Sequence, residues 1–148
     1  MIGGQGEKKT LRLMAQYADM ANFTSGFDEI PRKLEVLAQH CADVGRDFDT
    51  INKTPLGMLV LGETMEDAEA KRSRLLQERG MPSWDQLDAG LKAMIGPRFV
   101  VGDPDAVGEQ LQNHLALGID GFCFNMPADG WDVDAVRHAG EVVRKAVS

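Results

Sequence analysis

Short apolar runs alternate with long amphipathic stretches along the whole chain, and this alternation limits what it can fold into more than any other feature. Met1-Ile2 reads as the stub of a buried strand ending at Gly3-Gly4. Residues Glu7 to Asp19 then place Leu11, Met14, Ala15 and Ala18 on one helical face. Met20 to Phe23 is a short strand. Asp28 to Val44 is the clearest helix, with Ile30, Leu34, Leu37, Cys41 and Val44 at helical spacing. Pro31 falls in its first turn, where a missing N–H costs nothing, and Gly45 stands just past its end. Leu56 to Leu61 is an apolar run closed by Gly62. Thr64, with Asp67 three residues on, predicts the capped start of a helix that runs to about Arg79 and stops at Gly80.

Ser83 with Gln86 repeats the capping pattern and predicts a short helix to about Ile95, ended by Gly96-Pro97. Asp103-Pro104 is a cap followed by proline at the first helical position. Its helix carries Val107, Leu111, His114 and Leu115 and closes at Gly118. Gly121 to Asn125 reads as a buried strand, and Val133, Val136, Gly140, Val143 and Val147 mark a final amphipathic helix. Strand and helix thus alternate about four times, which implies an α/β fold of parallel strands joined by right-handed helical crossovers. The 148 residues suit one domain. They are short of the roughly 250 of a complete (β/α)8 barrel.

Charge narrows the partners. With 16 Lys+Arg against 23 Asp+Glu, a net charge of −7, neither a nucleic-acid backbone nor an anionic membrane surface is expected to bind. The two cysteines, Cys41 and Cys123, form no disulfide framework or metal motif. No apolar run reaches the roughly 20 residues of a membrane span, and the N-terminus lacks the regions of a signal peptide. A cytoplasmic protein is the expectation.

The segment Gly3-Gly4-Gln5-Gly6-Glu7-Lys8-Lys9-Thr10 carries the clearest chemistry. It follows a strand and opens a helix, where glycines allow a ligand close to the backbone and unpaired N–H groups favour an anion. Lys8, Lys9 and the Thr10 hydroxyl add contacts suited to a phosphate. The spacing is neither a P-loop nor a dinucleotide fingerprint, so a plain glycine turn with a basic first helical turn fits it equally well. His40, His114 and His138 fall in helices without metal-ligand spacing. Cys123 reads as a buried, inert thiol, and no carboxylate is assigned a catalytic role.

In order and spacing, these segments resemble the C-terminal half of the luciferase-like flavin- or F420-dependent oxidoreductases. MIGGQGEKKTLRLMAQYADMANF is similar to that family's fifth strand, glycine loop, helix and sixth strand. PRKLEVLAQHCADVGRDFDTINKT resembles its next helix and loop. LGET with the helix after it, VGDPDAVGEQLQNHLALGIDGFCFNMP and the terminal helix resemble the seventh and eighth units. The resemblance covers nearly the whole chain. It implies one half-barrel domain over residues 1–148. It also implies a small organic substrate and coenzyme F420, with FMN as the alternative. By the same resemblance, Gly3, Gly4, Gln5, Gly6, Lys9 and Thr10 hold the cofactor's phosphate, and Asn22 and Asn125 face the barrel mouth. The family's first four strands have no counterpart here. A homodimer, or a separately encoded first half, is therefore expected to complete the barrel. A non-catalytic half-barrel and a small α/β phosphate-binding module are the alternative readings.

Overall fold

A computed structural model describes residues 1–148. The chain divides into two compact units, one of Met1–Gly57 with His114–Cys123, the other of Met58–Asn113 with Phe124–Ser148.

The first unit opens with β1 (Ile2–Gly4), α1 (Thr10–Tyr17) and β2 (Met20–Phe23), followed by a single 3-10 turn at Phe27–Glu29 and α2 (Ile30–Asp43). β3 (Asn52–Leu61) begins in this unit and ends in the other. β1 pairs parallel with β2, and β2 with the start of β3, as the strand-helix alternation predicts. α1 contributes Leu11, Met14 and Ala15 to the core, and α2 contributes Ile30, Leu34, Leu37 and Cys41. Ala18, Ala21, Phe23, Ile51 and Ile119 complete it. Each fully buried leucine there contributes about 1.5–3 kcal/mol. Burial also raises the pKa of the Cys41 thiol. α2 ends as its sequence asks: Gly45 N–H donates to Ala42 O and Arg46 N–H to Cys41 O, the paired bonds of a Schellman cap.

Several boundaries differ from the sequence reading: α2 starts at Ile30 rather than Asp28, because Phe27–Glu29 form the 3-10 turn, and α1 ends at Tyr17 rather than Asp19. α1 starts at Thr10, because Glu7 to Lys9 form turns. β3 starts at Asn52, not Leu56, and runs through Pro55. Pro55 stands opposite Phe23, the last residue of β2, so the ladder on that side already ends there.

In the second unit, the end of β3 pairs parallel with β4 (Phe99–Gly102), a strand the sequence reading left between Pro97 and the Asp103 cap. Only four residues long and flanked by turn formers, Phe-Val-Val-Gly gives too short a run to separate from a loop. α3 (Met65–Glu78) has the expected Thr64 cap, whose hydroxyl accepts from Asp67 N–H at 3.2 Å, and Asp67 in turn accepts from Glu63 N–H. Ser83 caps nothing. Residues Trp84–Gln86 form one 3-10 turn, and α4 (Ala89–Ile95) is capped by Asp88, which accepts from Leu91 N–H at 2.9 Å. α5 (Pro104–Leu115) has the expected cap from Asp103 to Ala106 N–H. β5 (Cys123–Asn125) pairs with β3, and Cys123 is half-buried rather than buried. α6 (Val133–Val147) closes the chain and buries only Ala139 fully. No helix is long and apolar enough to cross a membrane.

Candidate functional site

Alternation along β2 sorts its side chains. Ala21 and Phe23 enter the core with α1 and α2, so Asn22 points to the opposite face of the sheet. Register places Gly3 of β1 and Thr54 of β3 on either side of it. The Asn22 amide donates to Thr54 O and to Thr54 Oγ1, both at 3.2 Å. Thr54 Oγ1 donates its single proton to Ala21 O at 3.4 Å and takes a weak S–H contact from Cys123 at 3.8 Å. This buried row is a satisfied polar network. The amide N–H groups of Asn22 are already engaged with Thr54.

The glycine segment takes in the end of β1, at Gly3 and Gly4, and the turn after it. Gly4 has φ +147°, and a Cβ there would sit 2.7 Å from Thr10 Cγ2. A Cβ on Gly6 would come within 3.0 Å of Thr10 Oγ1. Gly4, Gly6 and Thr10 therefore form one close-packed cradle, in which a side chain at Gly4 would be strained by both its φ and the Thr10 methyl, and one at Gly6 would crowd the Thr10 hydroxyl. Gly3, Gln5, Gly6, Lys8 and Lys9 are exposed around it. Leu11 N–H bonds back to Gly6 O at 3.1 Å, and Thr24 N–H reaches Gly4 O at 3.4 Å, so the turn after β2 adjoins the loop.

The next residue in that turn is Ser25. It is 1% exposed, and its hydroxyl has no hydrogen-bond partner. A buried hydroxyl left in this way costs about 1–3 kcal/mol. Sequence reasoning passed over it. The signal available was a hydroxyl residue two positions past a strand end, at the same end of the sheet as the glycine loop.

Glu7 is the one acid of the loop, and α2 holds it. Its carboxylate pairs with Lys33 at 3.1 Å and Arg32 at 3.3 Å, while His40 Nε2 meets its backbone oxygen at 2.8 Å. The hydrogen bonds from Lys33 and Arg32 hold the Glu7 carboxyl below its usual range. Burial alone would depress Lys33, but its bonds to Glu29 and Glu7 outweigh that and keep the ammonium above the usual lysine range. Glu7 thus shares Arg32 and Lys33 with two further acids, Glu35 and Glu29.

His114 stacks flat on Phe27 with ring centroids 4.0 Å apart, and burial lowers its pKa. It serves packing.

Asn125 lies in the second unit, exposed at the end of β5. That unit has a separate cleft of about 250 Å³ past the end of β3, lined among others by Gly62, Glu63, Lys71, Asp129 and His138. Lys71 occupies its wall, bonded to Leu61 O at 3.0 Å and paired with Asp129 at 3.3 Å. Gly62 is required there, since a Cβ would fall 2.4 Å from Ala68 N. None of these cleft residues was singled out from the sequence as a ligand, because they converge only through folding.

No family model matches the chain, and no curated protein matches it by sequence. Solved structures do. The long-chain alkane monooxygenase LadA shares 15% identity over 98% of this chain and 41% of its own, with a TM-score of 0.72. The coenzyme F420-dependent tetrahydromethanopterin reductase of Methanopyrus kandleri gives 16%, 99%, 50% and 0.71 for the same measures. An F420-dependent secondary alcohol dehydrogenase gives 14%, 99%, 48% and 0.71. The chain spans about half the length of these structures. Its fold is the α/β fold of barrel enzymes of the luciferase-like type, as the sequence resemblance implies.

Proposed function

We propose that this chain is the cofactor-phosphate half of a luciferase-like oxidoreductase that uses coenzyme F420, with FMN as the alternative, on a small organic substrate. The observation that carries the reading is the cradle of Gly4, Gly6 and Thr10, in a chain whose structural matches include flavin- and F420-dependent enzymes. The residues fit a phosphate. Gly3, Gln5 and Gly6 are exposed, the start of α1 follows the loop, Lys8 and Lys9 are exposed beside it, and Glu7 is paired with Arg32 and Lys33. When bound, the cofactor supplies hydride transfer or oxygen activation. The chain's own residues bind and orient its phosphate tail. In this reading a further polypeptide, a second copy or a separately encoded half, completes the pocket.

Titration of the chain with reduced F420 and with FMN, followed by fluorescence, tests the reading. Lys8→Ala with Lys9→Ala should weaken binding modestly, since exposed charges contribute about 1 kcal/mol or less each. Gly4→Pro, in a chain shown by circular dichroism to stay folded, should abolish it. Undiminished affinity in Gly4→Pro would refute the site.

A further inference from the structure

The Asn22 amide can sit only one way round. It bonds to Thr54 O, and a backbone carbonyl only accepts, so the amide nitrogen must lie on that side. The second N–H goes to Thr54 Oγ1. Oδ1 therefore points away from β3 and towards β1, where the register sets Gly3 beside Asn22. A Cβ on Gly3 would lie 3.8 Å from Asn22 Oδ1 and 3.8 Å from Asn22 O, and would meet nothing else within 4 Å.

The network of Asn22 and Thr54 spends its donors and leaves this one acceptor over. No N–H or O–H of the chain reaches Asn22 Oδ1, although the residue is only 7% exposed. A carbonyl oxygen held that deep costs free energy until a donor arrives. It borders the notch at Gly3, an exposed residue, on the sheet face opposite α1 and α2.

The notch adjoins the glycine cradle. Gly3 precedes Gly4 by one residue, a rise of about 3.3 Å along the strand. A ligand with its phosphate at the cradle and its carbon chain running down the sheet face brings its first carbons to Gly3. The missing side chain there leaves width for that chain, and Oδ1 calls for a hydrogen-bond donor on it. A hydroxyl meets this need, whereas a carboxylate or a second phosphate would face the carbonyl oxygen with like charge.

We propose that Asn22 Oδ1, beside the notch at Gly3, is the specificity-determining acceptor for a hydroxyl on the carbon chain of a phosphate ester, so that the site takes a polyol phosphate over a plain alkyl phosphate. The proposal rests on the reading of the glycine segment as a phosphate site. Thr54 acts through Asn22, by holding the amide in its one productive orientation.

Chemical-shift titrations with ribitol 5-phosphate and with pentyl phosphate test it, because the two esters share a chain length and only the first carries hydroxyls along it. Both should shift the amides of Gly4 to Thr10. Ribitol 5-phosphate should bind about tenfold more tightly, and it alone should move the Asn22 side-chain NH2 resonances. Gly3 has no positive φ, so Gly3→Ala keeps the strand and sets a methyl against Oδ1. That variant should bring the ratio of the two affinities to within about twofold of unity. Equal affinities in the parent chain, an Asn22 side chain that does not respond, or an unchanged ratio in Gly3→Ala would each overturn the proposal and leave the phosphate site standing. If neither ester shifts Gly4 to Thr10 at concentrations on the order of 10 mM, the phosphate site itself is refuted, and this proposal falls with it.

Discussion

α2 and α6 are of similar length and carry equally regular apolar stripes, yet the fold treats them differently. α2 sinks Ile30, Leu34, Leu37 and Cys41 into a core shared with α1 and β2. α6 buries Ala139 and leaves Val133, Val136 and Val147 in water. Periodicity states that a helix has a face to cover. It does not say whether the cover comes from the same chain. α2 is finished within its own unit, and its charged side is also used, because Arg32 and Lys33 hold Glu7 and His40 holds the backbone of the glycine loop. α6 leaves its apolar face uncovered by its own chain.

The contrast is open to direct attack. Leu37→Ala should lower unfolding free energy by about 2–5 kcal/mol in urea titrations, as a large-to-small change in a closed core. Val136→Ala, measured at submicromolar concentration, should stay within about 0.5 kcal/mol of the parent. Equal losses would mean that α6 is packed after all.

A smaller effect is expected at Gly4. Gly4→Ala should cost about 1–3 kcal/mol through its positive φ and the clash with Thr10 Cγ2. Thr10→Ser removes that methyl, so the double variant should recover part of the loss in thermal melts. No recovery would show that the cradle is not set by this contact.

Next come the caps. Asp88→Ala should cost about 1 kcal/mol and Ser83→Ala almost nothing, although the sequence pattern favours Ser83.

The smallest effect concerns pH. Burial lowers the pKa of His114 in the folded state, so the unfolded chain binds that proton more readily. Its stabilising contribution is complete above the unfolded value near 6.5 and is lost as pH falls from there through the folded value. His114→Phe should flatten that part of the stability-pH curve while keeping the stack on Phe27.

Much of this was legible from residue order. The Thr64 and Asp103 caps, the stops at Gly45, Gly80 and Gly118, and the parallel pairing follow from local chemistry and from strand-helix alternation. What escaped depended on distant partners. β4 is strand only because the end of β3 lies beside it. Ser83 and Asp88 both offer capping oxygens, and only Asp88 makes the bond, because the α-helix starts at Ala89 rather than after Ser83. Among site residues, the glycine loop was visible because glycine and lysine announce it within eight residues. Ser25 was not, since its burial and lack of a partner are properties of the folded chain. Asn22 was visible as a polar residue at a strand end, but its bonds to Thr54 cross 32 positions.

Amide chemical-shift mapping of the labelled chain during titration with F420, and separately with FMN, reaches the central claim most directly. The account predicts the largest shifts at Gly4, Gln5, Gly6, Lys9 and Thr10, with a response at Ser25 and little change at Gly62 and Glu63. Shifts centred on the cleft at Gly62, Glu63 and Asp129, or none at the glycine loop with cofactor at about millimolar concentration, weaker than which specific binding has little meaning, would contradict it.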